Sequence, residues 1–207
     1  MQIKTEFLKN RFCLHQMIET LTQIAEWVSV AFSMLYLLLL GKRNLWCWFF
    51  GITGSIVGVA LMLHTGLLGQ AVIYAYYVGI GVYGWWYWNK SDGMQLAVCE
   101  WRFQTHVWLQ LSGAALAVLC GYILHTHTSA TQPYVDASLT VFGFIGSWMQ
   151  ARRVLSSWIY WFAIDAGSAW LYYQNGLYVF AALMVVYCVL CVRGYIHWNA
   201  NYLKQPD

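Results

Sequence analysis

The chain has 207 residues, 60% of them hydrophobic and only 9% charged, with 2 prolines and a formal net charge of +3. A soluble domain carries about 25% charged residues, so this chain lacks the side chains to cover a water-facing surface, whereas lipid requires no such cover. The small positive balance gives no ground for a nucleic-acid partner.

Residues 1–23 differ from the rest of the chain. Ile3, Phe7, Leu8, Leu14, Met17, Ile18 and Leu21 recur at helical spacing, with Lys4, Lys9, Arg11 and Glu19 among them. The pattern predicts an amphipathic helix lying at the membrane interface, ahead of a membrane domain over 24–207. It does not fit a cleaved secretion signal, because charges interrupt each apolar run and no small-residue cleavage site follows. The plainer alternative is a frayed polar leader.

From residue 24 onward, seven apolar stretches follow: 24–40, 45–63, 67–88, 106–125, 134–150, 155–173 and 177–198. A hydrocarbon core of about 30 Å takes about 20 helical residues to cross, and helices satisfy their own backbone groups. An all-α integral membrane fold of seven transmembrane helices is therefore expected. Lys42, Arg43, Lys90, Arg102, Arg152, Arg153, Arg193 and Lys204 lie on one side of these spans. The opposite loops, around His64, His125 to Pro133 and Gln174-Asn175, contain no Lys or Arg. The positive-inside rule makes the first side cytoplasmic and the core N-out and C-in. Lys4, Lys9 and Arg11 then fall on the other side, against the rule.

The two halves of the chain match each other. Glu26 pairs with Asp136, Phe32 with Phe142, Lys42-Arg43 with Arg152-Arg153, Gly66-Leu67 with Gly176-Leu177, Tyr77 with Tyr187, Gly84 with Gly194 and Trp88 with Trp198. Three extra residues in the second half bring Trp48 opposite Trp161 and Gly54-Ser55 opposite Gly167-Ser168. Repeat 1 (24–88), a linker helix (106–125) and repeat 2 (134–198) would give two parallel three-helix repeats about an axis along the membrane normal. Repeat-built transporters bind substrate near mid-membrane, between the repeats. The alternative is chance similarity between two stretches rich in Trp and Tyr.

Asp165 carries the most information. A carboxylate at mid-helix costs about 2.5–3.5 kcal/mol on insertion scales, so it belongs against a cavity or a partner. Trp158, Trp161 and Asp165 are spaced three and four apart, on one helix face. Two indoles beside a carboxylate suit a flat aromatic cation through stacking, cation–π contact and charge balance. The alternative is plain packing, with Asp165 bonded to a neighbouring hydroxyl. Gln70, Tyr74, Tyr77 and Gly81 share one face of the third helix, where a buried amide would need partners. The candidate substrate-binding set is Trp158, Trp161, Asp165, Tyr74, Tyr77, Gln70 and Trp48. Glu26 and Asp136, near the outer ends of their helices, complement helix N-termini or attract a cation at the entrance.

Other constellations are weak. Cys188-Val-Leu-Cys191 lies inside an apolar helix without a nearby histidine, so no metal or redox role follows. His125 and His127 cannot fill a metal shell alone, and no phosphate loop, HExxH or nucleophile elbow is present. No cofactor is expected and no enzyme is indicated. A structural or assembly role would leave Asp165 and its tryptophans with packing alone.

Four segments carry a family resemblance: Asn44-Leu-Trp-Cys-Trp-Phe-Phe-Gly51, Tyr83-Gly-Trp-Trp-Tyr-Trp88, Ser157-Trp158-Ile-Tyr-Trp161-Phe-Ala-Ile-Asp165, and Gly176-Leu-Tyr178. Over roughly residues 26–198 the chain resembles the PnuC family of bacterial vitamin transporters. The resemblance implies a SWEET-like seven-helix fold, a homotrimer in the bacterial inner membrane, and uptake of nicotinamide riboside by facilitated diffusion, with phosphorylation trapping the solute inside. Relatives in that family carry thiamine or riboflavin. Riboside members tend to have Asn in place of Asp165, Gln in place of Tyr74 and Asn near Gly81. Because a carboxylate differs from an amide in charge and donor capacity, thiamine is the alternative substrate.

Overall fold

The computed structural model describes residues 2–64, 66, 68–90, 97–128 and 132–204, with the side chains of 2–15, 18, 19, 21, 26 and 68 outside that description. Seven α-helices are found among the described residues: α1 (Gln2–Gly41), α2 (Trp46–His64), α3 (Leu68–Asn89), α4 (Phe103–His127), α5 (Pro133–Ala151), α6 (Ser157–Gln174) and α7 (Tyr178–Tyr202). From α2 onward each lies within a few residues of an expected stretch.

The start of the chain departs from expectation. The charge pattern predicts a separate interfacial helix over 1–23, but α1 runs unbroken through 40 residues. The reason is local: no Gly or Pro occurs between residue 2 and Gly41, so nothing ends the helix at residue 23. At 1.5 Å per residue α1 is about 60 Å long, twice the hydrocarbon thickness. Its first half therefore extends past the span at Thr22–Gly41. The charged residues Lys4, Lys9 and Arg11 and the acid Glu26 have side chains outside the described set.

Among the described residues four segments are long and apolar enough by composition to cross a bilayer: Thr22–Gly41, Trp46–His64, Phe103–His127 and Tyr178–Tyr202. α3, α5 and α6 fall short of that measure because they hold much of the Tyr, Ser and Gln content, together with Asp136 and Asp165. Large apolar side chains such as Trp108 (72% exposed) and Val179 face outward. This is a multi-pass membrane protein.

The helices pack as α1 on α2 on α3 and as α5 on α6 on α7, with α4 held against α5. The two groups meet where α3 packs on α5 and α1 on α7. Both chain turns that follow α1 and α5 close in the same way. The Arg43 N–H bonds Leu40 O (2.9 Å) and the Asn44 N–H bonds Leu39 O (3.0 Å). In the second half the Arg153 N–H bonds Gln150 O (3.0 Å) and the Val154 N–H bonds Met149 O (3.0 Å). This is the Schellman closure, whose penultimate residue is left-handed and usually Gly. Here Arg43 (φ 56°) and Arg153 (φ 62°) occupy it, at a backbone cost of about 1–2 kcal/mol each. The opposite turns use Gly66 (φ 75°) and Gly176 (φ 74°) instead.

The tightest packing lies at the end where α2 and α6 begin. Trp48 lies against Gly84 and stands edge-on to Trp88 at 5.4 Å and 88°. Trp158 lies against Gly194 and stands edge-on to Trp198 at 5.4 Å and 88°. The setting of Trp48 is thus matched by Trp158, a constant 110 residues along the chain. The three-residue shift that pairs Trp48 with Trp161 does not describe these contacts. Trp88 Nε1 donates to Ala151 O (3.0 Å) and Trp198 Nε1 to Leu40 O (3.1 Å), so each indole ties its group of helices to the other.

A methyl group on Gly84 or Gly194 would stand 2.5 Å from the facing indole. These rings are enclosed and cannot swing aside, and overpacking of this kind costs about 1–3 kcal/mol. Gly84→Ala and Gly194→Ala should each lower the melting temperature of the detergent-purified protein. Gly79→Ala, where no atom lies within 4 Å, should cost nothing of this steric kind. Equal melting behaviour for all three variants would contradict the seam.

Candidate functional site

Asp165 lies at the middle of α6 and is 5% exposed. Its Oδ2 accepts a hydrogen bond from the Cys191 thiol of α7 at 3.4 Å. Tyr77 of α3 and Tyr187 of α7 lie within electrostatic reach of the carboxylate, and Tyr187 also bonds Ser33 of α1. Three helices besides α6 thus contribute polar groups at this depth.

One turn toward the start of α6, Trp161 turns to α5, where its Nε1 would stand 3.1 Å from a methyl group on Gly146. Gly143, about one turn nearer the start of α5, faces the Tyr77 hydroxyl, 3.2 Å from where a methyl would sit. Small residues on this α5 face let aromatic side chains from α3 and α6 approach its backbone. In the first half the arrangement is inverted. Tyr36 of α1 lies against Gly51 of α2, 2.9 Å from a methyl built there. The large and small partners have exchanged helices, since Tyr36 and Gly146, and Gly51 and Trp161, each stand 110 residues apart.

Of the candidate residues, Trp161 and Tyr77 both meet the glycine face of α5, and Asp165, bonded to α7, lies within electrostatic reach of Tyr77. Tyr74 adjoins Tyr77, ring centroids 6.5 Å apart, and presses on Gly58. Trp158 (1% exposed) and Trp48 (2% exposed) sit in the Trp–Gly seams, one or two turns below Asp165's depth. Gln70 is exposed near the start of α3 and does not share the enclosed face. Asp136 is exposed in the first turn of α5, where a carboxylate complements the helix N-terminus. Among the described residues no three His, Cys, Asp or Glu side chains are grouped to hold a metal ion.

Several polar residues here have no signature in the sequence. Cys191 reads there as half of an isolated CxxC, yet it donates to Asp165. Gln150 is 1% exposed, and its Oε1 accepts a hydrogen bond from the Tyr36 hydroxyl at 3.3 Å. Glu100 lies in the segment before α4, which a short parallel bridge joins to Val154 through Cys99. Its carboxylate accepts from the Ser156 N–H (2.9 Å), the Ser156 hydroxyl (2.7 Å) and His106 Nε2 (3.1 Å). That fastens the segment to the start of α6, next to Trp158. At the same end, burial and then the nearby charge of Arg153 lower the Arg43 guanidinium from its usual pKa.

The Asp165 carboxylate has a thiol as its hydrogen-bond donor, a weak partner for a buried acid. A group retained for binding at the expense of the fold should be replaceable without loss of stability. The ligand-free Asp165→Asn protein is expected to melt at or above the temperature of the parent. A fall of several degrees would show that the carboxylate anchors the helices instead.

Comparison with known proteins agrees with this architecture. The family model described as nicotinamide mononucleotide transporter matches residues 23–200. The riboflavin/roseoflavin transporter RibM of Streptomyces davaonensis is 26% identical over 185 residues, covering 83% of this chain and 84% of that protein. A crystal structure of the vitamin B3 transporter PnuC superposes with a TM-score of 0.69 at 17% identity, covering 86% of this chain and 82% of the other. With the family model spanning most of its length, the chain belongs to the nicotinamide mononucleotide transporter family, whose members are membrane transporters and not enzymes.

Proposed function

We propose that the protein carries nicotinamide riboside, a flat aromatic cation, across the bacterial inner membrane by facilitated diffusion, with intracellular phosphorylation trapping the solute. The observation that carries this reading is the buried Asp165 one turn from Trp161, its carboxylate bonded by a thiol and within electrostatic reach of Tyr77 and Tyr187. A ring stacked on Trp161 would place a positive charge within reach of the carboxylate, and both interactions strengthen away from water. Trp158 and Trp48 form the floor below the ring, while Tyr74 lines the approach and Gln70 stands toward the outer mouth. The site falls between two parallel three-helix repeats, α1–α3 and α5–α7, joined by α4 in the SWEET-like manner. The matched Trp–Gly seams and Schellman turns support that arrangement. The assembly is a homotrimer, its core N-out and C-in.

Two other ligands share the chemistry. Thiamine is also a flat cation, and its aminopyrimidine offers a donor to Asp165. Riboflavin is favoured by the similarity to a riboflavin/roseoflavin transporter; it is neutral, and its ring N–H would bond the carboxylate in place of a charge.

Titration of purified protein with all three ligands separates these readings. For a cation, Trp161→Ala should weaken binding at least several-fold, since stacking with cation–π character is worth about 0.5–2 kcal/mol. Asp165→Asn should weaken a cation more than riboflavin. If both variants stay folded and bind all three ligands as the parent does, this face is packing and the assignment fails. In proteoliposomes, labelled substrate should equilibrate without ATP or an ion gradient. Accumulation above the outside concentration under an imposed proton or sodium gradient would contradict facilitated diffusion. A cysteine placed at Asn175 should react with an impermeant reagent from outside intact cells; labelling only after lysis would reverse the topology.

A further inference from the structure

Gln150 is buried in the last turn of α5 at a relative exposure of 1%. Its two ends are treated differently. The carbonyl Oε1 accepts from Tyr36, whereas the amide Nε2 has no protein acceptor among the described residues. The indole N–H groups of Trp161 and Trp48 are likewise buried without a protein acceptor. A buried donor left without an acceptor costs about 1–3 kcal/mol.

The position of this amide sets it apart from an ordinary core glutamine. Tyr36 belongs to α1 and Gln150 to α5, and among the described residues these two helices do not pack against each other. The two side chains therefore join the two groups of helices directly, at the depth of the tryptophan seams. Gln150 lies one turn from Gly146, against which Trp161 rests, and Tyr36 stands edge-on to Trp48 at 5.8 Å. Asp165 is eight residues into α6, and Gln150 is at the last turn of the oppositely running α5. The rise between them is about 10 Å, comparable to the length of a nucleoside.

We infer that Gln150 is a ligand subsite, donating from its amide to an acceptor oxygen on the sugar or sugar-like part of a nucleoside-type substrate whose ring lies at Trp161 and Asp165. The inference rests on the proposed ring site. Asp165 supplies an acceptor and, about 10 Å away along the helix direction, Gln150 supplies a donor held in orientation by Tyr36. A ligand needs both a flat ring and a hydroxylated tail to satisfy both ends.

The test compares ligands that share a ring and differ in the tail: nicotinamide riboside against 1-methylnicotinamide, which keeps the cationic ring, and riboflavin against lumiflavin. Calorimetric titration of the parent and Gln150→Met should show loss of affinity for the tailed ligand by about three- to tenfold, the worth of one hydrogen bond. Affinity for its tailless partner should not change. Gln150→Leu removes the amide donor with a differently branched apolar side chain, and the same selective loss is expected if the Met variant does not fold. A purely structural role would shift both members of a pair equally, and that result, or no shift in either, overturns the subsite. Trp161→Ala is the control for the ring site: it should weaken both members. If Trp161→Ala acts and the Gln150 variants do not, only the subsite is wrong. If Trp161→Ala is silent, or no ligand binds the parent, the ring site and the subsite both fail.

Discussion

The structure depends on close approach of tryptophan to glycine between neighbouring helices. Lipid offers no hydrophobic drive for helices to associate, so packing and internal hydrogen bonds must hold them. Gly84 and Gly194 each admit an indole, from Trp48 and Trp158, and Trp88 and Trp198 then donate across to the opposite group of helices. These four tryptophans hold one end of the described helices together through ring contacts and indole-to-carbonyl bonds. The polar groups of the candidate site stand one to two turns beyond this closed end, on the sides of α1, α3, α6 and α7 that face inward.

The same seams explain where the two halves agree and where they differ. Trp48 and Trp158 occupy matching settings because both bear on equivalent glycines. The exchange of Tyr36–Gly51 for Gly146–Trp161 breaks the match just above them. Asp165 stands 110 residues after Ser55, so the carboxylate has no acidic counterpart in the first half. The buried carboxylate belongs to the second half, while the packing is shared by both.

Much of the fold is legible in the sequence because its causes are local. Apolar stretches of bilayer length and their Gly, Asn and Arg breaks place six of the seven helices within a few residues, and the spacing of Trp161 and Asp165 puts them on one side of α6. The charge pattern misleads over α1, where the lack of any helix breaker decides the outcome. The register of Trp48 is hidden because matching letters, Trp with Trp, do not reveal which indole lies on which glycine. Gln150, Tyr36 and Cys191 are hidden for a different reason. Each is an ordinary residue in an apolar stretch, and its importance comes from a contact across helices far apart in the chain.

The central claim is that Trp161 and Asp165 hold a ring-bearing vitamin. The most direct measurement is mass spectrometry of the small molecules released from the detergent-purified protein on denaturation. The account predicts one such vitamin in near-stoichiometric amount from the parent and its loss from Trp161→Ala. Finding the same molecule retained in the variant, or only lipid from a parent protein shown to be folded and transport-competent, would contradict it.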